Sequence, residues 1–354
     1  MKPAVQGAQS SRKPKLTELR RPTINDVAAL SGVSKSTVSN VLRGRGSVAA
    51  ATQADVMRAM QTLGYRPNAA ARNLVLQRTH LLGVVVGDLG NAFHAELVKR
   101  IEHGASARGY TTLVCNTGGH VERESSRIEA LLEQRVDGIA LLDFSGDQGV
   151  LALLLGSHVP VLMVSCWADG ANCVATDDDL GLYLAVEHLA GLGHVRIAHA
   201  VDPIMEASTR TARAHAFAHA MRDHRLTPRA GWIVALDESE HDDAALEPVL
   251  AAASPPTAFV ADSDYRAIRL IELLEGRGLA VPDDISIVGF DGIAIGALSR
   301  LGLTTVAQPM DELAAQAVEL LVDRVERGDG GPPVQRRLRP ALVARRSTAR
   351  SRRP

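Results

Sequence analysis

Apolar residues follow two different spacings along the chain. Near the N-terminus they recur at helical spacing in three short segments that begin close to Thr23, Lys35 and Ala50. From Leu81 onward, continuous aliphatic runs alternate with helical patterns. Such runs are typical of strands buried on both faces, so the alternation predicts parallel sheets covered by helices on both sides. The pattern therefore predicts a small all-α domain followed by a larger α/β region.

Seven aliphatic runs of the α/β region are predicted to be strands. They are Leu81–Val86, Thr111–Cys115, Gly138–Leu142, Val159–Ser165, Arg196–Val201, Ala258–Ala261 and Ser286–Gly289. Ligands of open parallel sheets lie beyond the carboxyl ends of the strands. The polar residues expected there are Asp88, Asn91, Asp177 and Asp291. Because Asp is common at strand ends, a purely structural role stays open for each of these aspartates.

The first N-terminal helix has a recognisable start and end. Thr23 and Asp26 have the spacing of a capping box, and Gly32 can end the helix by adopting a positive φ. The apolar face of this helix is expected to consist of Ile24, Val27, Ala28 and Leu30. A short turn of this kind between two helices is typical of a helix-turn-helix.

A second helix is predicted over Lys35–Leu42, capped by Ser34. Its buried side would be Val38, Val41 and Leu42, and its exposed side Lys35, Ser36, Ser39 and Asn40. A third helix is predicted over Ala50–Leu63, with Val56, Met57, Met60 and Leu63 on its apolar face. A generic three-helix bundle fits this pattern too, but the polar second helix favours a DNA-reading element.

Charge separates the N-terminal region from the rest. Residues 1–80 contain 13 Lys and Arg but 3 Asp and Glu, a net charge of +10, whereas residues 81–335 contain 18 and 37, a net charge of −19. From residue 336 onward there are 8 Arg and no acidic residue. A basic region confined to one end favours polyanion binding there, although charge alone also fits a solvated surface.

Ordered sequence blocks then point to one family. TINDVAALSGVSKSTVSNVL, GYRPNAAARNL and LLGVVVGDLGNAFHAEL, followed by RVDGI, EHLAGLGHVRIA, DISIVGFD and LTTVAQPMDELAAQAVELL, resemble the LacI/GalR family of bacterial regulators. The resemblance extends from Thr23 to about Thr348. It implies a helix-turn-helix domain and a two-lobed, periplasmic-binding-protein-like effector domain crossed by three chain segments. It also implies a homodimer that binds double-stranded operator DNA.

The resemblance implies a set of DNA-contacting residues. Those of the helix-turn-helix are Thr23, Asn25, Ser34, Lys35, Ser36, Thr37, Ser39, Asn40 and Ser47, and those of a minor-groove hinge helix are Asn68, Ala71, Arg72 and Leu74. Asn40 replaces a common Arg, which shifts the expected base from guanine towards adenine. Ala49 replaces the usual capping Ser or Thr of the third helix, a loss of about 1 kcal/mol.

The effector site is expected between the two lobes. The resemblance adds Phe93, Arg213 and Ser263 to the strand-end residues, so the expected set is Asp88, Asn91, Phe93, Asp177, Arg213, Ser263 and Asp291. Arg213 as a surface helix residue and Asp291 as a turn residue are the alternatives. Ser263 stands where an Asn is common, and His94 where a second aromatic is frequent. Asp and Arg suit ligand hydroxyl groups or base edges, and an aromatic suits a ring face.

These expectations define a domain organisation. Residues 1–22 form a disordered basic arm, 23–66 the helix-turn-helix domain, 67–80 the hinge, 81–335 the effector-binding and dimerisation domain, and 336–354 an Arg-rich tail. The tail is either disordered or adds non-specific DNA affinity. It shows no heptad repeat that would make a dimer into a tetramer.

The expected function is an allosteric transcriptional regulator, most simply a repressor controlled by a sugar or sugar derivative. A solute-binding protein of the same fold is the alternative, disfavoured by the basic head and the absence of a signal peptide. An enzyme is disfavoured because nucleotide-binding, metalloprotease and serine-hydrolase motifs are absent from suitable contexts. No cofactor, metal or membrane contact is expected. Three cysteines without metal-ligand spacing fit reduced thiols in a cytoplasmic protein.

Overall fold

The computed structural model describes residues 22–43, 48–66, 78–142, 144–168, 170–202, 207–236, 242–328 and 331–352. These residues form two compact units, an N-terminal head that ends at Thr79 and a body that begins at His80. No helix of the described part is both long and apolar enough to cross a membrane.

The head contains three helices, α1 (Ile24–Ser31), α2 (Lys35–Arg43) and α3 (Ala50–Leu63). The predicted capping box is confirmed, since Thr23 Oγ1 accepts from the Asp26 N–H at 3.4 Å and Asp26 Oδ2 accepts from the Thr23 N–H at 2.7 Å. Gly32 ends α1 with a φ of 68°. The start of α3 has no side-chain cap, as Ala49 implies.

The core of the head is small and aliphatic. Its fully enclosed residues are Val27, Val38, Val56 and Ala59. The prediction of the core is wrong for two residues, since Leu30 is 53% exposed and Met57 is 47% exposed. Leu30 lies about 60° around α1 from the buried Val27, and Met57 lies about 100° around α3 from the buried Val56. The broad apolar pattern therefore overstated the width of the buried stripe.

The body consists of two lobes, each built on a six-stranded sheet. Lobe 1 contains β1 (Leu81–Val86), α4 (Ala92–Ala107), β2 (Thr111–Asn116), α5 (Val121–Glu133), β3 (Gly138–Leu141), α6 (Gln148–Gly156), β4 (Val161–Val164), β5 (Asn172–Thr176), α11 (Met310–Arg327) and β11 (Gln335–Leu338). Its strand order is β11-β5-β4-β3-β1-β2, and every neighbouring pair is parallel.

Lobe 2 has the same layered architecture. It contains α7 (Asp178–Gly191), β6 (Ile197–Val201), α8 (Ala207–Asp223), β7 (Ile233–Ala235), α9 (Asp242–Leu250), β8 (Ala258–Ala261), α10 (Asp264–Gly276), β9 (Ser286–Asp291), β10 (Thr304–Ala307) and β12 (Ala341–Val343), with two 3₁₀ turns at Ala230–Trp232 and Ala294–Ala297. The strand order is β12-β10-β9-β8-β6-β7. Only the β10–β12 pair is antiparallel among the described strands.

The chain passes between the lobes three times. The passages join β5 to α7, β10 to α11, and β11 to β12. Hydrogen bonds tie them together, because the Asp177 N–H donates to the Leu338 carbonyl at 2.8 Å and the side chains of Thr176 and Gln308 meet at 2.6 Å. The two-lobed, three-passage architecture predicted for the α/β region is confirmed.

Helices bury both faces of each sheet. In lobe 1, Leu97 of α4 and Leu321 of α11 belong to one apolar cluster, and Ile128 of α5 belongs to the cluster on the other side. In lobe 2, α7 and α8 contribute to one cluster and α9 and α10 to the other. Continuous aliphatic strands are the consequence of this double burial, which explains why those runs were recognisable in the sequence.

The Arg-rich tail is the main correction to the predicted domain boundaries. Residues 335–338 form the edge strand of lobe 1, and 341–343 pair with β10 in lobe 2. The Ser347 hydroxyl donates to the Ile287 carbonyl at 2.7 Å, so the chain beyond β12 also packs on lobe 2. These strands were not predicted, because edge strands often carry charged side chains and a search for apolar runs then misses them.

Candidate functional site

The polar face of α2 is the candidate DNA-contacting surface of the head. Lys35, Ser36 and Asn40 are exposed, whereas Val38 is fully buried against the core. Ser34 caps the helix, since its Oγ accepts from the Thr37 N–H at 3.1 Å, and its hydroxyl also lies 2.7 Å from that of Ser36. The predicted separation of a reading face from a buried face is therefore present.

The remaining predicted DNA contacts divide into two groups. Thr23 and Asn25 lie at the start of α1, and Thr37 and Ser39 are half-buried on α2. Ser47 and the hinge positions Asn68, Ala71, Arg72 and Leu74 lie outside the described residues, as does the basic arm over 1–21.

A cavity of about 420 Å³ lies between the two lobes of the body. Lobe 1 contributes the loops that follow β1 and β2, and lobe 2 contributes the ends of β6, β8 and β9. Six of the seven predicted effector residues line it: Asp88, Asn91, Phe93, Arg213, Ser263 and Asp291. This is the place where parallel sheets bind ligands, beyond the carboxyl ends of their strands.

Asp177 has a different position from the one predicted. Its carboxylate accepts from the Leu180 N–H at 3.1 Å and caps α7, and the residue is not part of the cavity lining. An Asp before a helix satisfies otherwise unpaired N–H groups, which is the structural alternative that its sequence position left open.

Arg213 is the central cation of the lobe 2 wall. Its guanidinium donates to the Asp262 carbonyl at 2.5 Å and to Asp178 Oδ1 at 3.3 Å, and it lies 4.2 Å from the centre of the Phe290 ring. Burial opposes the charge of Arg213, but the carboxylates of Asp178, Asp291 and Asp262 raise its pKa above the ordinary value. Arg213 is 5% exposed, so it is a buried site residue and not a surface helix residue.

Asp291 is held at the end of β9 in an unusual backbone conformation. Its φ is 120°, a region that non-glycine residues rarely adopt, and such strain is frequent at binding sites. Gln308 Nε2 donates to Asp291 Oδ1 at 2.8 Å. Burial and the nearby Asp264 raise the pKa of Asp291 well above its ordinary value, although Arg213 opposes the shift.

Two further aspartates lie directly behind the lobe 2 wall. Asp264 accepts from the N–H groups of Gly292 and Ile293 at 2.9 and 2.8 Å and from the Thr305 hydroxyl. Asp262 Oδ2 accepts from the Asp202 N–H at 2.6 Å. Burial raises the pKa of both carboxyl groups to about 6. These two carboxyl groups therefore keep their protons up to a higher pH than solvent-exposed carboxyl groups do.

Several lining residues were not among the predicted site residues, and they include His94, Asp202, Arg266 and Gln308. Arg266 Nη2 lies 2.5 Å from Asp202 Oδ2, and Gln308 links Asp291 to Thr176 at the passages between the lobes. His94 lies beside Phe93, with 5.8 Å between ring centres. The sequence indicated His94 in one way only, because it stands where a second aromatic is frequent in the family. The sequence around Arg266 is that of an ordinary helix.

Comparison with known proteins places both units. Residues 23–68 match bacterial regulatory proteins of the lacI family, and residues 186–348 match a periplasmic binding protein-like domain. The HTH-type transcriptional repressor PurR of Aliivibrio salmonicida is 33% identical over 308 residues, which are 86% of this chain and 92% of that protein. The chain belongs to the lacI family of bacterial regulatory proteins.

Solved structures of lacI-family proteins share the fold. The lac repressor dimer bound to operator and the anti-inducer ONPF is 26% identical, with a TM-score of 0.83 over 93% of this chain and 100% of that one. The CelR–cellobiose complex is 28% identical, with a TM-score of 0.67 over 92% and 100%. This lacI-family chain is thus a transcriptional regulator with a DNA-binding head and an effector-binding body, and it is not an enzyme. The match of the head disfavours the solute-binding alternative.

Proposed function

We propose that this regulator is a homodimeric repressor that binds double-stranded operator DNA and is controlled by a sugar or sugar derivative. The observation that supports DNA reading most directly is the exposed polar face of α2, formed by Lys35, Ser36 and Asn40 above a buried Val38. The N-terminal residues of a recognition helix enter the major groove in this class of motif.

Two heads are needed for a stable complex on an operator. The related lac repressor is a dimer bound to its operator. A dimer places two recognition helices at half-sites about one helical turn apart, which multiplies the few base contacts that a helix such as α2 can make. The hinge assigned to residues 67–80 connects each head to the body in sequence.

The proposal of a sugar-like effector rests on the cavity. Its volume of about 420 Å³ suits a small molecule. Asp88 from lobe 1 and Asp291 from lobe 2 offer carboxyl groups to ligand hydroxyls, and Phe93 adds an aromatic surface. The related CelR structure contains cellobiose.

Control of DNA binding requires that the effector prefers one of two arrangements of the lobes. A ligand that contacts Asp88 and Asp291 together would favour closure around it. Gln308 contacts both Asp291 and Thr176, so the cavity is linked by hydrogen bonds to two of the three passages between the lobes. The coupling must be reciprocal, so operator DNA and effector change each other's affinity by the same factor.

DNA reading is tested by selecting preferred sequences from a random library with the full-length protein and its Asn40→Arg variant. We expect a symmetric site, and a shift towards guanine at one position of each half-site in the variant. Gln53→Arg on the exposed side of α3 is the matched control, because it adds the same charge without altering α2. An identical site for wild type and Asn40→Arg would remove Asn40 from the reading face.

Effector binding is tested by thermal denaturation of the full-length protein with sugars, amino sugars, nucleosides and sugar phosphates. A true effector raises the melting temperature by mass action and changes operator affinity in the same buffer. If only nucleosides raise the melting temperature and change operator affinity, a nucleoside effector replaces the sugar proposal. A compound that stabilises the body without changing operator affinity would contradict its role as an effector.

A further inference from the structure

Acidic groups outnumber basic groups at the cavity. Its described lining contains three carboxyl groups, of Asp88, Asp202 and Asp291, and two guanidinium groups, of Arg213 and Arg266. Asp262 and Asp264 lie buried behind this lining and add two more carboxyl groups. The cavity therefore has an excess of acidic groups close to the space that a ligand would occupy.

Both guanidinium groups are engaged by the protein. Arg213 contacts the carboxylate of Asp178 at 3.3 Å and the carbonyl of Asp262 at 2.5 Å. Arg266 contacts Asp202 at 2.5 Å and is 4% exposed. An arginine that recognises phosphate presents its planar fork of N–H donors to the ligand. Here terminal nitrogens of the two forks already contact the carboxylates of Asp178 and Asp202 and a backbone carbonyl within lobe 2.

His94 does not supply a positive charge either. Its Nδ1 lies 3.2 Å from the Asp88 carbonyl, and a carbonyl oxygen can only accept, so Nδ1 carries the proton. Burial lowers the pKa of His94, which keeps the ring neutral near pH 7. In this tautomer Nε2 is a hydrogen-bond acceptor, like the carboxyl oxygens around the cavity.

The helix N-termini at the cavity also attract anions. α4 and α10 begin at the cavity, and their dipoles favour negative charge there. Side chains already occupy part of each end, because Asn91 Oδ1 accepts from the Phe93 N–H at 3.0 Å and Ser263 Oγ accepts from the Arg266 N–H at 3.2 Å. The nearby carboxyl groups act against the residual attraction.

We propose that the cavity selects an uncharged or cationic effector rich in hydrogen-bond donors and rejects phosphorylated and carboxylated forms of it. This inference rests on the proposed effector function of the same cavity. Acidic groups and a neutral imidazole accept hydrogen bonds from hydroxyl or amino groups of such a ligand. A phosphate group would bring further negative charge to a site whose cations are already paired, at a high desolvation cost.

The charge preference can be measured without knowing the effector. Cys166 lines the cavity, and its thiol is not part of a disulfide. In a full-length Cys115→Ser background, its reaction rate is compared for methanethiosulfonate reagents that carry a trimethylammonium, a sulfonate or an uncharged methyl group. In each reaction the thiolate attacks the reagent sulfur, a disulfide forms and methanesulfinate leaves. Mass spectrometry identifies the modified residue.

A second reporter covers the case in which Cys166 is shielded even from the uncharged reagent. Tyr265 also lines the cavity and is 43% exposed, so Tyr265→Cys places a reactive thiol there. Leu155→Cys is the control outside the cavity, since Leu155 is 73% exposed on α6. All rates are measured at low ionic strength, where screening is weak.

We expect the thiol in the cavity to react faster with the cationic reagent than with the anionic one. The ratio of these two rates should be on the order of tenfold higher than the same ratio at Leu155→Cys. Asp88→Asn should reduce this preference, because it removes an exposed carboxyl group from the cavity lining. An equal ratio at both places, or a faster anionic reagent in the cavity, would overturn the proposal while leaving the regulator function intact.

Sugars that differ only in a charged group test the charge preference independently. Glucosamine, glucose and glucose 6-phosphate, and likewise ribose and ribose 5-phosphate, are compared by their effect on the melting temperature. A phosphorylated compound that stabilises the protein more than its parent would overturn the proposal. If none of these compounds binds, the reagent ratio alone decides the charge preference, and the sugar proposal is the one that fails.

Discussion

The two walls of the cavity are built in different ways. On lobe 2, Arg213 and Asp291 are at most 5% exposed and are held by several hydrogen bonds and ion pairs. On lobe 1, Asp88 is exposed and Asn91 half-buried, and both lie in a loop after β1 whose contacts are largely local. A ligand would therefore meet one rigid polar wall and one more adaptable wall.

This difference suggests a division of labour between the lobes. Side chains fixed before binding lose little entropy when a ligand arrives, which favours chemical selectivity at lobe 2. Loop residues with local contacts can adjust when the lobes close, which favours enclosure by lobe 1. Three changes, taken from the largest expected effect to the smallest, can test this comparison.

The largest effect is expected for Arg213→Met. Removing the guanidinium leaves Asp178, Asp262 and Asp291 without their shared cation, and breaking a buried pair of this kind costs about 3–5 kcal/mol. Chemical denaturation should show this loss in the free energy of unfolding, together with loss of the effector response. Arg327→Met removes an exposed arginine paired with Asp323 at 3.1 Å and should cost less than about 1 kcal/mol. Equal losses for the two variants would contradict the rigid-wall description.

The next effect concerns pH and Asp262. Its folded-state pKa is raised from 3.8 to about 6 by burial, so the folded protein binds the proton more tightly than the unfolded chain. The stability from this proton is present below pH 4 and is lost as the pH rises through 6, an amount of about 3 kcal/mol at most. Asp262→Asn should weaken this fall in stability between pH 4 and 7, while Asp264 continues to contribute to it. An unchanged slope in pH-dependent denaturation would show that Asp262 is ionised in the folded protein.

The smallest effect compares two close packing contacts. A Cβ at Gly181 would lie 2.6 Å from the Phe290 ring, whereas one at Gly83 would lie 2.6 Å from the end of Leu131. Both alanine variants should lose about 1–3 kcal/mol through overpacking. Only Gly181→Ala should also weaken effector binding, because Phe290 supports Arg213. If Gly83→Ala impaired binding equally, the packing behind lobe 1 would matter as much as that behind lobe 2.

Local signals made the head predictable from sequence. The capping box of Thr23 and Asp26 and the positive-φ Gly32 each act within one helix, and the structure contains both. Leu30 was misplaced because its burial depends on how α1 packs against its neighbours. Central strands such as β1 and β8 were equally visible, since burial on both faces makes them continuously aliphatic.

Features that depend on distant pairing were not visible in the same way. Thr304 and Thr305 are fully buried in β10 although both are polar, and β11 contains two arginines. The ion pair between Arg266 and Asp202 joins residues 64 positions apart, and neither position has a spacing that indicates the partner. The resemblance to a family, and not periodicity, located Arg213 and Ser263 in the site.

The last passage between the lobes has a consequence for biosynthesis. The sheet of lobe 1 lacks its edge strand, and one of its faces lacks α11, until the ribosome has passed Leu338. Lobe 2 lacks β12 until Val343 has been added. Although many proteins complete their N-terminal domain early in synthesis, here both sheets are completed only by residues 335–343. A shortened product of interrupted translation would therefore contain the head but no finished effector cavity.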